Sequence, residues 1–122
     1  MGRKTDQRDA IRNVFRRAQR PLTANEVLDR AAESVPGLGI ATVYRNIKRL
    51  HEDGWLIPVD LPGEPSRFEL ADREHHHHFR CDDCGKVYDI PGCHAPDDHA
   101  PAGFQVTRHE VWLFGMCPEC AA

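Results

Sequence analysis

Cys81, Cys84, Cys117 and Cys120 form two C-x-x-C pairs about thirty residues apart, Cys81-Asp-Asp-Cys84 ahead of Gly85 and Cys117-Pro-Glu-Cys120 after Met116. One C-x-x-C turn supplies two vertices of a tetrahedron. Two such turns supply all four, so the spacing reads as a single zinc ion held by four thiolates at about 2.3 Å. Four sulfurs leave no open coordination position. The ion would fold the C-terminal part of the chain and not catalyse, contributing on the order of 10 kcal/mol to a segment with few large apolar residues. Two disulfides, or thiols that merely pack, are the alternatives. No apolar signal core stands near Met1, so a cytoplasmic, reducing location is expected, and it favours zinc.

The 122 residues suffice for one ordinary domain or for two small ones. A domain of about sixty residues has a thin core and commonly leans on a metal or an oligomer contact. Charge favours two. Residues 1–62 carry 11 Lys+Arg against 8 Asp+Glu, whereas residues 63–122 carry 5 against 11, so the formal net charge of −3 conceals a basic half and an acidic half. Arg3, Lys4, Arg8, Arg12, Arg16, Arg17 and Arg20 all fall within the first 20 residues, against Asp6 and Asp9, which points to an anionic partner at that end. No apolar run approaches the roughly twenty residues that cross a bilayer, and no membrane association is expected.

The basic half reads as three helices and a hairpin. Ile11, Val14, Phe15 and Ala18 recur at helical spacing, predicting a first helix over residues 6–19 with its arginines turned outward. Thr23 followed by Glu26 is a capping box opening a second helix, with Val27, Leu28, Ala31 and Ala32 as its apolar stripe before Pro36-Gly37. In a third helix over residues 40–52, Ile40, Val43, Ile47 and Leu50 share one sector, and Gly54 closes it. Residues 55–59 and 67–70 then bracket a Pro/Gly-rich turn as a β-hairpin. That order is the order of a winged helix, whose third helix enters the major groove. Arg45 can fork onto a guanine edge, Tyr44 can pack on a thymine methyl or bond a phosphate, and Thr42, Lys48 and Arg49 suit backbone oxygens. Arg12 and Arg16 on the first helix add cationic reach toward the same duplex.

Four consecutive histidines, His75 to His78, lie directly before the first C-x-x-C. If residues 74–80 are extended, side chains alternate, so His75 and His77 face one way and His76 and His78 the other. One strand can then serve two metals.

The chain resembles the ferric uptake regulator superfamily of bacterial metal- and peroxide-dependent repressors. Its marks are Gly39-Ile-Ala-Thr-Val-Tyr-Arg45, Arg67-Phe-Glu69, His75 to His78, Cys81-Asp-Asp-Cys-Gly-Lys-Val87, Gly103-Phe104 ahead of His109, and Phe114-Gly-Met-Cys-Pro-Glu-Cys120. The resemblance implies an α+β protein: a winged helix-turn-helix DNA-binding domain over residues 1–70, a hinge over 71–74, and a small zinc-stabilised α/β dimerisation domain over 75–122. It also implies a homodimer on a palindromic duplex. By motif position, Cys81, Cys84, Cys117 and Cys120 hold the structural zinc. Glu69, His76, His78 and Asp89 form a regulatory hinge site, and His75, His77, His109 and Asp97 a third site. Glu69 ends the wing and His76 and His78 open the next domain, so an ion joining them would set the angle of the reading heads.

The chain departs from the family pattern in several places. Many relatives carry a histidine near the second helix where this chain reads Arg20-Pro21-Leu22, and zinc-sensing relatives often carry a hinge cysteine where it reads Glu69-Leu-Ala-Asp72. The hinge set is therefore nitrogen and carboxylate, which suits Fe(II), Mn(II), Zn(II), Co(II) or Ni(II) without choosing among them. The acid of the third site falls to Asp97, with Asp98, His94 or His99 as substitutes. Cys93 stands open as a ligand, a redox-active thiol or a bystander. Three other functions compete with a metal-responsive repressor: a peroxide sensor of the same family, a zinc-stapled adaptor without DNA affinity, and a metal hydrolase. The hydrolase is disfavoured because His109-Glu110 lacks a second histidine at helical spacing.

Overall fold

The stripe of Ile11, Val14 and Phe15 is buried along α1 (Arg3–Ala18), three residues longer at its start than the sequence pattern predicts. The helix stops without a glycine. Gln19 takes the left-handed conformation (φ +54°), and its side-chain Nε2 donates to the Arg16 carbonyl at 2.7 Å. The computed structural model describes residues 3–93 and 100–122, and the chain divides into two compact units, Met1–Asp72 and Arg73–Ala122. No described helix is long and apolar enough to cross a membrane.

In the first unit a two-residue strand, β1 (Leu22–Thr23), precedes α2 (Ala24–Ala31). Thr23 caps α2 as its spacing to Glu26 predicts: Glu26 N–H donates to Thr23 Oγ1 at 3.1 Å, and Thr23 N–H to Glu26 Oε1 at 3.0 Å. Arg20 Nη2 reaches Glu26 Oε2 at 2.8 Å, so this buried arginine is tied to the cap. Burial pushes the Glu26 carboxyl up, but the Thr23 N–H and the Arg20 guanidinium outweigh it and hold it below the ordinary value. The third helix, α3 (Ile40–Glu52), buries Val43, Ile47 and Leu50. Ile40, expected on the same sector, is 36% exposed because it is the first helical residue and lies past the core's edge. Gly54 (φ +80°) ends α3 in a Schellman arrangement, with Gly54 N–H on His51 O and Trp55 N–H on Leu50 O.

The hairpin strands β2 (Leu56–Val59) and β3 (Arg67–Leu70) pair antiparallel, and β1 adds to the other side of β3, giving the order β1-β3-β2. Pro58 sits in β2, an edge strand, where a missing donor is tolerated. Helices and sheet enclose one core of Ile11, Phe15, Leu22, Val27, Val43, Ile47, Leu50 and Leu56, with Phe68 and Leu70 packed against it.

The second unit is built on β4 (His76–Cys81), flanked by antiparallel β5 (Val87–Pro91) and parallel β6 (Trp112–Gly115), and ends in α4 (Pro118–Ala121). Among its described residues few are fully buried: Cys81 and Val87 at 0% exposure and Cys117 at 2%. A sheet with so little apolar interior needs another source of cohesion. The two units together make an α+β chain.

Candidate metal centres and nucleic-acid face

The parallel pairing of β4 with β6 sets Cys81 opposite Gly115, and Cys117 follows two residues later. Each C-x-x-C then closes on itself. Gly85, at φ +75°, completes the first turn by donating its N–H to Cys81 O at 3.0 Å, a backbone conformation that favours glycine. Cys117 is the N-cap of α4 with Pro118 in the first turn, and Cys120 N–H returns to Cys117 O at 3.0 Å. The four Sγ atoms lie within 4.8 Å of one another, with Cys84 and Cys117 at 3.9 Å. Sulfurs about 2.3 Å from a tetrahedral zinc stand about 3.8 Å apart, so the donor set fits the ion. Backbone dipoles also favour thiolates. The N–H groups of Cys84 (3.5 Å) and Cys117 (3.4 Å) point at Cys81 Sγ and bring its thiol down to about 6. The Cys120 N–H lowers Cys117, whereas the hydrogen bond Cys120 gives to Cys117 holds its own proton on and raises it.

On one face of β4, His76 and His78 point toward Asp89, which pairs directly opposite His78 in β5. Their Nε2 atoms stand 3.5 and 3.6 Å from Asp89 Oδ1, and the rings meet edge to face at 5.0 Å. His76 Nδ1 lies 2.7 Å from the Glu74 carbonyl, which can only accept, so Nδ1 carries a proton and Nε2 is the nitrogen turned toward Asp89. Arg73 Nη1 holds the other oxygen, Asp89 Oδ2, at 2.7 Å. Glu69, expected in the same set, stands on β3 of the first unit, on the sheet face opposite Phe68 and Leu70.

His77, on the other face of β4, gathers a different group. His75 and His109 bring their Nε2 atoms within 3.0 Å, and Cys93 Sγ lies 2.9 Å from His109 Nε2 and 3.3 Å from His77 Nε2. Burial, then the neighbouring His75 and His109 rings, push His77 below the ordinary imidazole value, so it stays neutral. The Val111 N–H donates to His77 Nδ1 at 3.1 Å, which places that ring's proton on Nε2, toward Cys93. Asp97 lies outside the described residues, as do His94, Asp98 and His99. Sequence reasoning left Cys93 undecided for a physical reason. It follows β5 through Gly92, whose φ of +78° turns the chain, and no strand register predicts where the next side chain lands.

In the first unit, Tyr44, Arg45, Lys48 and Arg49 are exposed on the outer face of α3, with Thr42 half-buried at its border. Arg45 Nη2 donates to Thr42 Oγ1 at 3.0 Å, which extends the guanidinium along the helix. Arg12 and Arg16 lie over the Trp55 ring, 5.7 and 5.4 Å from its centroid, held by cation–π contact. A cleft between α1 and α3 is lined by Lys4, Arg8, Arg45 and Arg49 together with Gln7, Thr42 and Asn46. Lys4 and Arg8 are thereby joined to the α3 cations, a convergence that the first helix's charge hinted at without locating.

Residues 2–114 match the family model described as the ferric uptake regulator family. The chain is 30% identical to the Peroxide operon regulator of Bacillus subtilis over 123 residues, covering 98% of this chain and 84% of that protein. It superposes on the solved ferric uptake regulator of Vibrio cholerae with a TM-score of 0.69 at 28% identity, over 91% of this chain and 88% of the other. A zinc-bound manganese uptake regulator shares the fold with a TM-score of 0.77 at 24% identity, over 91% and 87%. The chain belongs to the ferric uptake regulator family of metal-responsive transcriptional regulators.

Proposed function

We propose that this protein is a homodimeric repressor whose winged helix-turn-helix, residues 1–70, binds a palindromic duplex when a divalent metal occupies a regulatory site at the 71–74 hinge. The observation that carries the reading is the two-faced strand β4, with donor clusters on both sides and the four-cysteine centre at its end. Arg45 and Tyr44 read bases, and Thr42, Lys48, Arg49, Arg12 and Arg16 hold the phosphates. Cys81, Cys84, Cys117 and Cys120 keep the second unit folded around zinc. His76 Nε2, His78 and Asp89 supply regulatory ligands, and the family resemblance assigns Glu69 to the same ion. A bound divalent cation supplies the positive charge that offsets the two carboxylates and ties these donors together. Exposed Leu113 and Phe114 on the edge strand β6, with exposed Met116 beyond it, support a dimer interface over residues 75–122.

Nitrogen and carboxylate donors admit Fe(II), Mn(II) and Zn(II) alike. Duplexes selected from a random pool by metal-loaded protein supply the operator, and affinity is then measured across buffered iron, manganese, zinc and nickel at several salt concentrations. A repressor binds tightly with one subset of metals and loses affinity steeply as salt rises, whereas a zinc-stapled adaptor retains no DNA at any salt. The identity to the Peroxide operon regulator favours a second reading, a peroxide sensor. In that case peroxide abolishes operator binding by iron-loaded protein and spares the manganese-loaded form.

A further inference from the structure

We propose that Cys93 is a metal ligand, and that His75, His77, Cys93 and His109 form a three-imidazole, one-thiolate site of the zinc class. Their donor atoms all lie within 4.8 Å of one another, and among the described residues no carboxylate joins them. A tetrahedral zinc would hold two imidazole nitrogens about 3.3 Å apart and a nitrogen and a sulfur about 3.6 Å apart. The observed separations of 3.0 Å between His75 and His109, 2.9 Å between Cys93 and His109, and 3.3 Å between Cys93 and His77 fall slightly inside those values. Moving each donor outward by a few tenths of an ångström opens the cavity an ion needs. A nucleophilic Cys-His pair requires one imidazole; convergence of three on one sulfur is the geometry of coordination.

The sulfur changes which metal the site takes. Thiolate is a soft donor that favours zinc over iron(II) or manganese(II), whereas His76, His78 and Asp89 on the opposite face of β4 offer only nitrogen and oxygen. Neighbouring histidines on one strand thus sort ions by hardness. His75 and Cys93 are exposed, so the ion has a path in. The His77 ring must move its proton from Nε2 to Nδ1 and give up the Val111 contact to ligate, while His75, Cys93 and His109 are already convergent. This inference deepens the proposed regulator by naming the metal class of its third site, and it rests on that reading only for its regulatory meaning.

The test uses full-length protein isolated with zinc in its four-cysteine centre and titrated with cobalt(II). Wild type is expected to develop a near-ultraviolet thiolate-to-cobalt charge-transfer band as this site fills, and zinc to remove it. Cys93→Ser should abolish the band and weaken zinc binding by at least about tenfold, the low end of what even an outer partner's loss costs. Cys93→Asp should bind metal without the band and lose selectivity for zinc over manganese. A band of equal strength in Cys93→Ser would assign the sulfur signal to the four-cysteine centre and overturn the inference. So would alkylation of Cys93 by iodoacetamide at the same rate with and without zinc. Neither readout involves DNA, so a protein that represses through the hinge but shows no cobalt-thiolate band at Cys93 refutes this proposal alone.

Discussion

Cys81 accepts two backbone N–H groups while buried at 0% exposure, and its thiol is brought down to about 6. A thiolate prepared in this way binds zinc without first having to lose a proton at neutral pH. Cys81→Ser is expected to leave the protein without tightly held zinc and the second unit without a cooperative thermal transition, while the first unit keeps its helical circular dichroism. Metal content and a melting curve check it. On α3, Arg45→Ala should leave the fold intact and cost about 1–3 kcal/mol of discrimination at one operator base pair, measured by titration against matched and mutated duplexes. The exposed Arg45 side chain donates to Thr42 Oγ1 on its own helix, and the fold does not depend on it. The clustering of Cys81 with Cys84, Cys117 and Cys120 was legible because C-x-x-C spacing pairs them, and the exposure of Arg45 because helical phase turns it outward. Cys93 was not, because its position follows from the turn at Gly92 and not from a periodic pattern.

At the scale of elements, α2 and β4 are held by different means. The α2 cap rests on Thr23, Glu26 and Arg20. Thr23→Ala is expected to cost about 1 kcal/mol of stability, read from chemical denaturation of the metal-loaded protein. Glu26 has its carboxyl pKa lowered on folding, so its contribution is present above the ordinary carboxylate range and disappears as pH falls through the lowered value. Glu26→Gln should therefore flatten that part of the acid limb, modestly, since the group is only partly buried. Sequence pattern foresaw this cap, the Schellman stop at Gly54 and the hairpin, because each depends on neighbours within a few residues. It did not foresee β1, whose two residues gain their partner only when β3 arrives from more than forty positions later. Ile40 shares the sector of Val43, Ile47 and Leu50 yet stays 36% exposed, because helical phase says which way a side chain points and not where the core ends. The alternation of β4 was readable, but the identity of the donor meeting each face depended on the register with β5, which sets Asp89 opposite His78.

For the whole molecule, the two units have different sources of cohesion: an apolar core of helices and sheet in one, a sulfur centre in the other. Coupling between a metal and a duplex is reciprocal, so if metal raises operator affinity by some factor, operator must tighten metal by the same factor. The most direct measurement compares operator affinity with and without the cognate divalent metal for wild type and for His76→Ala/His78→Ala, both retaining zinc in the four-cysteine centre. The expected result is a metal-dependent gain of about ten- to a hundredfold in wild type, the range of typical coupling free energies, and none in the variant. An equal gain in both proteins would contradict a regulatory ion held by His76 and His78.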